Sequence, residues 1–378
     1  MNQAKSIDEI AASLQGYDPQ ALSAQDVLKF LSELVAGVSE TEEVDIFQAL
    51  GRIVAKDVIS PIDVPPHDNS AMDGFAFNGQ QLSSHAALTL KLVGTALAGK
   101  AWQGKIGPGE CVKIMTGAIM PDGLDTVIPQ ELCQSISAES IQLDGALLKA
   151  GDNRRHRGED IAKGKPALLQ GACITPAAAG LLASLGLPTV TVYRRLRVAY
   201  FSTGDEILSL GEAPREGAVY DSNRYTVHGL LTDLGCQMID MGVVKDNPEL
   251  LEQAFTQASA QADAIITSGG VSVGEADFTK AMMKKLGDVA FWKIAMRPGR
   301  PMAVGRINQG KQSAILFGLP GNPVAVMVTF LAFVKPALLQ MMGCTALPQP
   351  LARAKTREVL RKKPGRTEYQ RGIVTRNK

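Results

Sequence analysis

The stretch ADAIITSGGVSVGEADFTKAMMKKLG, residues 262–287, decides the fold class. It contains an apolar strand (Ala264 to Thr267), then a glycine-rich loop, then a helix (Ala276 to Leu286). The same order of strand, loop and helix recurs on both sides of it, between about Val190 and Met342. This alternation predicts a mostly parallel sheet with helices on both faces. Such sheets bind ligands at the carboxyl ends of their strands, so the loops there are candidates for the site.

The other predicted elements of this region are bounded by turn residues. The strands are Val198 to Phe201, Met238 to Val244 and Ala314 to Phe317, and the helices are Asn223 to Leu234, Pro248 to Ala258 and Pro323 to Met341.

The rest of the chain has a different texture. Ala24 to Ala36 and Pro176 to Leu185 have helical periodicity, with Ser23 and Thr175 as their N-caps. Between them, glycine, proline and short alternating runs predict a small β domain from about Pro61 to Gly158. The basic tail predicts a small, partial β domain.

Bulk composition sets the broad class. A chain of 378 residues with 45% hydrophobic residues is expected to form two to four domains. A net charge of +1 argues against general nucleic-acid binding. The five cysteines form no C-x-x-C motif, which is typical of buried thiols in a reducing compartment. The N-terminus lacks an apolar signal segment, and the apolar run from Val324 to Val334 is too short to span a bilayer, so we expect a cytoplasmic protein.

Three strand-end loops share one physical character: STGDE (202–206), TSGGVSVGEADF (267–278) and GLPGNP (318–323). Glycine allows close backbone approach, and helix N-termini offer unpaired N–H groups to an anion, so the loops predict phosphate binding. The chain has neither a G-x-x-x-x-G-K-[ST] nor a G-x-G-x-x-G motif, which excludes a P-loop or dinucleotide fold. The candidate ligand-binding residues here are Ser202, Thr203, Gly204, Asp205, Asp221, Ser268, Gly269, Gly270, Ser272, Gly318, Pro320, Gly321 and Asn322.

Carboxylates gather in the same region. They are Asp205, Glu206, Asp221, Asp246, Glu275 and Asp277. Carboxylates beside a phosphate repel it unless a cation lies between them, and Mg²⁺ suits a site with few protein carboxylates. The alternative is structural: helix capping for Glu275 and Asp277, and turn formation for Asp205, Asp221 and Asp246.

A rigid cationic loop, WKIAMRPGRP (292–301), carries Lys293, Arg297 and Arg300 around a Pro-Gly turn. Guanidinium groups bind oxyanions through paired hydrogen bonds, so the loop predicts a tetrahedral oxyanion site; the alternative is a solvated basic turn. Three further segments, VPPHDNSAMDGFAF (64–77), MTGAIMP (115–121) and NRRHRGED (153–160), are either functional or structural turns.

Read together, these segments resemble the molybdopterin molybdenumtransferase family, which includes MoeA of bacteria and the E domain of gephyrin-like proteins. The matching motifs, in the family's order, are DNSAMDG (68–74), MTG (115–117), RGED (157–160), STGDE (202–206), YDSN (220–223), SGGVSVGEADF (268–278), PGRP (298–301) and GLPGNP (318–323).

The resemblance implies four domains: an elongated helical domain I (1–60 and 159–190), an inserted β domain II (61–158), an α/β molybdopterin-binding domain III (191–345) and a partial C-terminal β domain IV (346–378). It implies a homodimer whose cleft combines domain III of one subunit with domain II of the other. Other molybdenum-cofactor enzymes are candidate partners, whereas nucleic acid and membrane are not expected.

The implied reaction consumes adenylylated molybdopterin and molybdate and releases AMP and molybdenum cofactor in the presence of Mg²⁺. The resemblance assigns catalytic roles to Asp73, Thr116, Asp160, Glu206, Asp246 and Asp277, metal binding to Glu206 and Asp277, and oxyanion binding to Lys293, Arg297 and Arg300. The family's loop often has lysine where Arg297 and Arg300 stand, which keeps the charge but changes the hydrogen-bond geometry. The alternatives are a molybdopterin adenylyltransferase, a nucleotide pyrophosphatase of related fold, and a non-catalytic scaffold or binding module.

Overall fold

The computed structural model describes residues 5–82, 87–271, 278–310, 312–345, 352–362 and 364–375. The helices are α1 (Ile7–Ser13), α2 (Ala24–Leu34), α3 (Pro176–Ser184), α4 (Ser222–Asp233), α5 (Pro248–Gln261), α6 (Phe278–Leu286), α7 (Pro323–Thr329) and α8 (Lys335–Met341), with a π-helical segment (Phe330–Val334) joining the last two. The strands are β1 (Thr41–Asp45), β2 (Val58–Ile59), β3 (Asn69–Ser70), β4 (Gly74–Phe77), β5 (Ala87–Ala96), β6 (Glu110–Ile114), β7 (Thr126–Pro129), β8 (Ser135–Ile136), β9 (Ser140–Asp144), β10 (Arg154–Arg155), β11 (Pro166–Leu168), β12 (Thr189–Tyr193), β13 (Arg197–Thr203), β14 (Ile207–Leu208), β15 (Val219–Tyr220), β16 (Gln237–Val244), β17 (Ala264–Ser268), β18 (Gly287–Lys293), β19 (Met296–Arg297), β20 (Pro301–Gln309), β21 (Gln312–Leu319) and β22 (Thr367–Glu368).

The chain divides into two compact units. The first contains residues 1–56, 170–179 and 189–378, and the second contains residues 57–169 and 180–188. The predicted β insertion falls in the second unit. The finer division of the first unit into domains I, III and IV stays a prediction.

The first unit is built on a six-stranded mixed sheet in the order β16-β13-β17-β21-β20-β18. The first four strands are parallel, with Val198 opposite Ala264 and Ala264 opposite Ile315. The last two strands join by antiparallel pairing, β21 with β20 and β20 with β18. The α/β sheet predicted from the alternating pattern is therefore present. The antiparallel extension was not predicted.

Helices cover both faces of this sheet, because alternate residues of each buried strand point to opposite sides. Tyr200 belongs to a core cluster that includes Val227 of α4 and Phe330. Phe201 belongs to a separate cluster on the other face, where its ring meets the ring of Phe255 of α5 edge-on at a centroid distance of 5.1 Å.

Two helices outside the alternating region begin where the sequence predicts. Ser23 caps α2, its side chain accepting from the backbone N–H of Asp26. That helix buries the predicted face, including Phe30, and ends two residues earlier than expected. Thr175 accepts from Ala178 N–H at the start of α3.

The segment 323–341 is helical throughout and passes through Lys335, at which the apolar run was expected to stop. In length and composition it meets the requirement for crossing a membrane, but half of it is buried inside the structure. A core helix of a soluble protein has the same properties, so this is weak evidence for a membrane span.

The second unit contains a six-stranded sheet in the order β7-β4-β6-β5-β9-β8. Its β4 strand is completely buried, with Phe75 pairing Ile128 on one side and Lys113 on the other. A two-stranded ribbon of β3 and β10 places Asn69 opposite Arg155, and so positions the DNSAMDG and RGED segments beside each other.

Candidate functional site

Three loops meet at the carboxyl ends of β13, β17 and β21. A Cβ atom added to Gly269 would lie 2.5 Å from the carbonyl oxygen of Thr203, and one added to Gly321 would lie 4.0 Å from the Cα of Gly269. The Asn223 side chain donates to the Gly321 carbonyl (2.8 Å), which brings the start of α4 to the same place. The predicted glycine loops are thus neighbours, and the contact at Gly269 leaves no room for a side chain.

Helix starts at this edge are capped by side chains. Asp221 accepts from Arg224 N–H at the start of α4, and Asn322 accepts from Val324 and Ala325 N–H at the start of α7. Asp221 therefore has a structural role through one carboxylate oxygen, Oδ1. Its other oxygen, Oδ2, remains available.

Two predicted ligand-binding hydroxyls are engaged within the protein. The hydroxyls of Tyr200, Ser202 and Ser268 form a buried triangle with oxygen–oxygen distances of 2.9, 2.8 and 3.1 Å. Three hydroxyls supply three protons, and three hydrogen bonds use them all. Burial raises the pKa of Tyr200, so its hydroxyl stays protonated. In this geometry Ser202 and Ser268 shape the edge of the sheet.

Beside this triangle lies a set of buried polar atoms that find no hydrogen-bond partner within the described chain. They are Thr203 Oγ1, Asp221 Oδ2, Asn223 Oδ1, Thr267 Oγ1 and Thr279 Oγ1. Buried polar groups in folded proteins are almost always hydrogen-bonded, so a group of exceptions calls for a partner beyond the described residues, and a bound ligand would supply one. Their neighbours Gly269 and Gly270 have positive φ values of 94° and 63°. The edge therefore has the chemistry of a polar ligand site.

The residues of the GLPGNP loop differ in burial. Gly318 lies inside β21, where an added Cβ would meet Val271 and Ala303 at 2.8 and 2.9 Å. Pro320 is buried, whereas Gly321 and Asn322 are exposed at the surface. Only the last two face outward beside the helix start.

Some of the acidic residues predicted for this edge, such as Asp205 and Asp246, lie next to each other. Asp205 Oδ1 accepts from the backbone N–H of Asp246 at 3.3 Å. The Glu206 carboxylate folds back over Gly204, since an added Cβ there would lie 2.6 Å from Glu206 Oε2. Glu206 can take this position because residue 204 is a glycine, which has no side chain and adopts a φ of 139°. Asp277 and Ser272 lie outside the described residues, as does Glu275.

The donor chemistry at this edge fits Mg²⁺. The described residues contain no group of three or more His, Cys, Asp or Glu side chains able to hold a metal ion. Mg²⁺ requires only one or two protein carboxylates and takes its other ligands from water and phosphate. Glu206, exposed and folded over Gly204 at the end of β13, matches that requirement.

The cationic loop joins β18 to β20. Lys293 is half-buried, and Arg297 and Arg300 are exposed; within the described part of the chain, none of the three has an ion-pair partner. The loop is closed by Ile294 N–H donating to Arg300 O (2.7 Å). A Cβ added to Gly299 would meet Thr329 Cγ2 of α7 at 2.5 Å.

Helix α7 links this loop to the glycine edge. It begins directly after Gly321 and Asn322, and Gly299 packs against it at Thr329. Seven helical residues span roughly 10 Å. The cationic loop and the glycine edge therefore lie within the reach of one extended ligand.

In the second unit, Asp73 and Thr116 form a pair. Asp73 Oδ1 accepts from the Thr116 backbone N–H (2.6 Å) and from its hydroxyl (2.7 Å). These two bonds, the backbone one first, hold the pKa of Asp73 below its ordinary value, so it is a carboxylate at neutral pH. Asp160 is paired with Arg155, whose Nη2 donates to it at 2.6 Å. Both acids are exposed, and each accepts a hydrogen bond from a neighbouring residue.

The sequence interpretation missed several residues of the first unit. Asn223 was quoted within a motif and Thr267 within a glycine loop, but neither was assigned to the site, and Tyr200 and Thr279 were counted as parts of a strand and a helix. The polar side chain of Tyr200 inside an apolar strand was the available signal, because a buried hydroxyl needs a partner.

Comparisons with known proteins agree on one family. A model described as the MoeA N-terminal region (domain I and II) matches residues 22–186, and one described as a probable molybdopterin binding domain matches residues 199–340. The molybdopterin molybdenumtransferase of Haemophilus influenzae is 44% identical over 336 residues, covering 89% of this chain and 81% of that protein. The protein of the same name from Nostoc sp. is 37% identical over 337 residues, covering 87% and 76%. A solved structure of the molybdopterin biosynthesis moeA protein of Pyrococcus horikoshii superimposes with a TM-score of 0.70 at 26% identity, covering 86% of this chain and 80% of that one.

Proposed function

Since the chain belongs to the molybdopterin molybdenumtransferase (MoeA) family and so takes part in molybdenum cofactor biosynthesis as a transferase, we propose that it inserts molybdenum from molybdate into adenylylated molybdopterin and releases AMP. The observation that carries the proposal is the set of buried oxygen atoms beside the three glycine loops that find no hydrogen-bond partner among the described residues. The match to residues 22–186 favours this reaction over the adenylyltransferase alternative, which was expected to share only the α/β domain.

Binding of the phosphate-bearing substrate is assigned to the glycine edge. The backbone N–H group of Gly270 and the Thr203 hydroxyl are suited to donate to phosphate oxygens, whereas the Gly269 N–H already donates to Leu319 O (3.1 Å). Asn223 keeps an unused amide oxygen for a donor group of the ligand. These groups bind and orient the substrate, and no lysine side chain is needed to bind its phosphate.

Orientation of molybdate is assigned to Lys293, Arg297 and Arg300. Their charges are not consumed by ion pairs within the described chain, so they remain available to an oxyanion. Holding molybdate beside the dithiolene sulfur atoms converts a bimolecular ligand exchange into a local one, which is the main contribution a protein makes to such a step. Magnesium, when bound by Glu206 and Asp277, supplies positive charge to the phosphoanhydride oxygens.

The test uses purified protein, adenylylated molybdopterin, Mg²⁺ and molybdate, and follows AMP release and reconstitution of a molybdoenzyme. The proposal expects AMP release that depends on molybdate. An Asp277→Ala variant is expected to fold and to lose that activity. AMP release without molybdate, from simple dinucleotides, contradicts the proposal and favours the pyrophosphatase alternative.

The proposal includes a cytoplasmic homodimer in which Asp73, Thr116 and Asp160 of one copy complete the cleft of the other. Mixing an Asp73→Ala variant with an Asp277→Ala variant tests it, since each mixed dimer then holds one intact cleft. Recovery of about a quarter of the wild-type activity after subunit exchange is expected, because about half of the dimers are mixed. Absence of any recovery in a mixture shown to exchange subunits contradicts the shared cleft.

A further inference from the structure

A short strand of the C-terminal segment docks on the cationic loop. β22 pairs in parallel with β19, placing Thr367 opposite Met296 and Glu368 opposite Arg297. Thr367 N–H donates to Ala295 O at 2.8 Å. Among the described residues from 352 to 375, only Glu368 of this strand is partly buried, and the others are exposed. The docked strand is thus the place where this segment engages the fold.

Tyr369 extends this contact to Arg297, one of the residues assigned to the oxyanion. Its backbone N–H donates to the carbonyl oxygen of Arg297 at 3.0 Å. In a parallel pair, N–H groups of alternate residues point to the same neighbour, so Thr367 and Tyr369 face β19 and Glu368 N–H faces away. Two amides of the segment therefore hold the Ala295–Arg297 backbone.

The opposite side of the loop is held separately. Lys293 N–H donates to Pro19 O (2.8 Å) and Ala295 N–H donates to Leu22 O (2.7 Å). These bonds fix the start of the loop. The bond from Tyr369 lies two residues further on, where the exposed guanidinium of Arg297 begins.

The position of the backbone that carries an arginine affects how well its guanidinium group binds an oxyanion, because two parallel N–H···O bonds tolerate little displacement of that group. We propose that the segment Thr367–Tyr369 is a positioning element that holds Arg297 for its oxyanion, a role that rests on the proposed function. It acts through its backbone amides and not through contact with substrate.

Proline substitutions separate this role from general folding. Tyr369→Pro removes the amide that donates to Arg297, whereas the matched control Glu368→Pro removes an amide that faces away. Tyr369→Pro is expected to raise the KM for molybdate by about three- to tenfold, the effect of losing one hydrogen bond, with kcat and the KM for adenylylated molybdopterin within about twofold of wild type. Glu368→Pro is expected to keep all three values within about twofold. Thr367→Pro, which removes the other facing amide, is expected to act in the same direction as Tyr369→Pro.

Hydrogen exchange supplies a readout that needs no activity. Amides of residues 293–301 are expected to exchange faster in Tyr369→Pro than in Glu368→Pro, with exchange in β17 unchanged in both. Equal behaviour of the two variants in exchange and in molybdate KM overturns the positioning role. A wild-type protein without molybdate-dependent turnover contradicts the proposed function instead, and the exchange comparison then still decides whether the segment holds the loop.

Discussion

Gly269→Ala is the substitution whose cost the structure predicts most directly. Gly269 has φ 94°, a left-handed conformation that costs an L-residue about 1–2 kcal/mol. The new methyl group would also lie 2.5 Å from Thr203 O and 2.9 Å from Thr203 Oγ1. Overpacking of this kind costs about 1–3 kcal/mol, which gives a total of about 2–5 kcal/mol.

Gly211→Ala is the matched control. Gly211 has φ 93° in the same unit, but an added Cβ meets nothing within 4 Å. Only the left-handed backbone conformation disfavours alanine here, so Gly211→Ala is expected to lower the free energy of unfolding by about 1–2 kcal/mol. The difference between the two variants isolates the close approach of the loops.

Urea unfolding followed by tryptophan fluorescence measures that difference. The chain has two tryptophans, and Trp292 is buried in the first unit while Trp102 lies in the second. In a Trp102→Phe background the signal therefore reports on the unit that contains both glycines. Equal free energies of unfolding for Gly269→Ala and Gly211→Ala would refute the account of how the glycine loops pack.

Three further predictions concern the charged groups. Asp263→Asn is expected to cost about 3 kcal/mol at pH 7, because Arg194, which donates to both Asp263 oxygens at 2.7 and 2.8 Å, loses the more buried of its two charged acceptors and keeps only Glu40. Burial raises the pKa of Asp263, but hydrogen bonds from Arg194 and from a backbone amide outweigh burial and lower that pKa. The extra free energy of unfolding of the wild type is therefore complete above about pH 4 and shrinks as the pH falls through the folded pKa. Urea unfolding of both proteins across this pH range measures the difference. Thr116→Val is expected to raise the Asp73 pKa in an NMR titration but to leave it below its ordinary value, because the larger contribution is the backbone N–H; an unchanged pKa would mean that the hydroxyl bond is absent. Arg297→Ala is expected to raise the KM for molybdate by about 10- to 100-fold with little change in pterin binding, and an unaltered molybdate dependence in the AMP-release assay argues against its role.

Local patterns in the sequence predict most of the α/β unit. Strand β13 and helix α5 appear within three residues of their predicted bounds, because apolar periodicity and helix caps are local signals. Strands β18 and β20 were missed. β18 contains half-buried residues such as Phe291 beside charged ones, and its pairing depends on β20, a strand that follows the cationic loop. Such pairing is not encoded locally.

For the site, the sequence predicts which loops matter but not how each side chain is used. Glycines at strand ends predict the approach of Gly269 to Thr203. The Tyr200 triangle depends on residues up to 68 positions apart, and the Asp73–Thr116 pair on residues 43 apart. Contacts at such separations follow from the folded sheets and leave no periodic signal in the chain.

A structure of this protein with adenylylated molybdopterin bound tests the central claim most directly. We expect phosphate oxygens within hydrogen-bonding distance of the Thr203 hydroxyl and of the backbone N–H group of Gly270, with the unused oxygen of Asn223 accepting from the ligand. A ligand bound elsewhere, with those buried oxygen atoms still lacking partners, would contradict it.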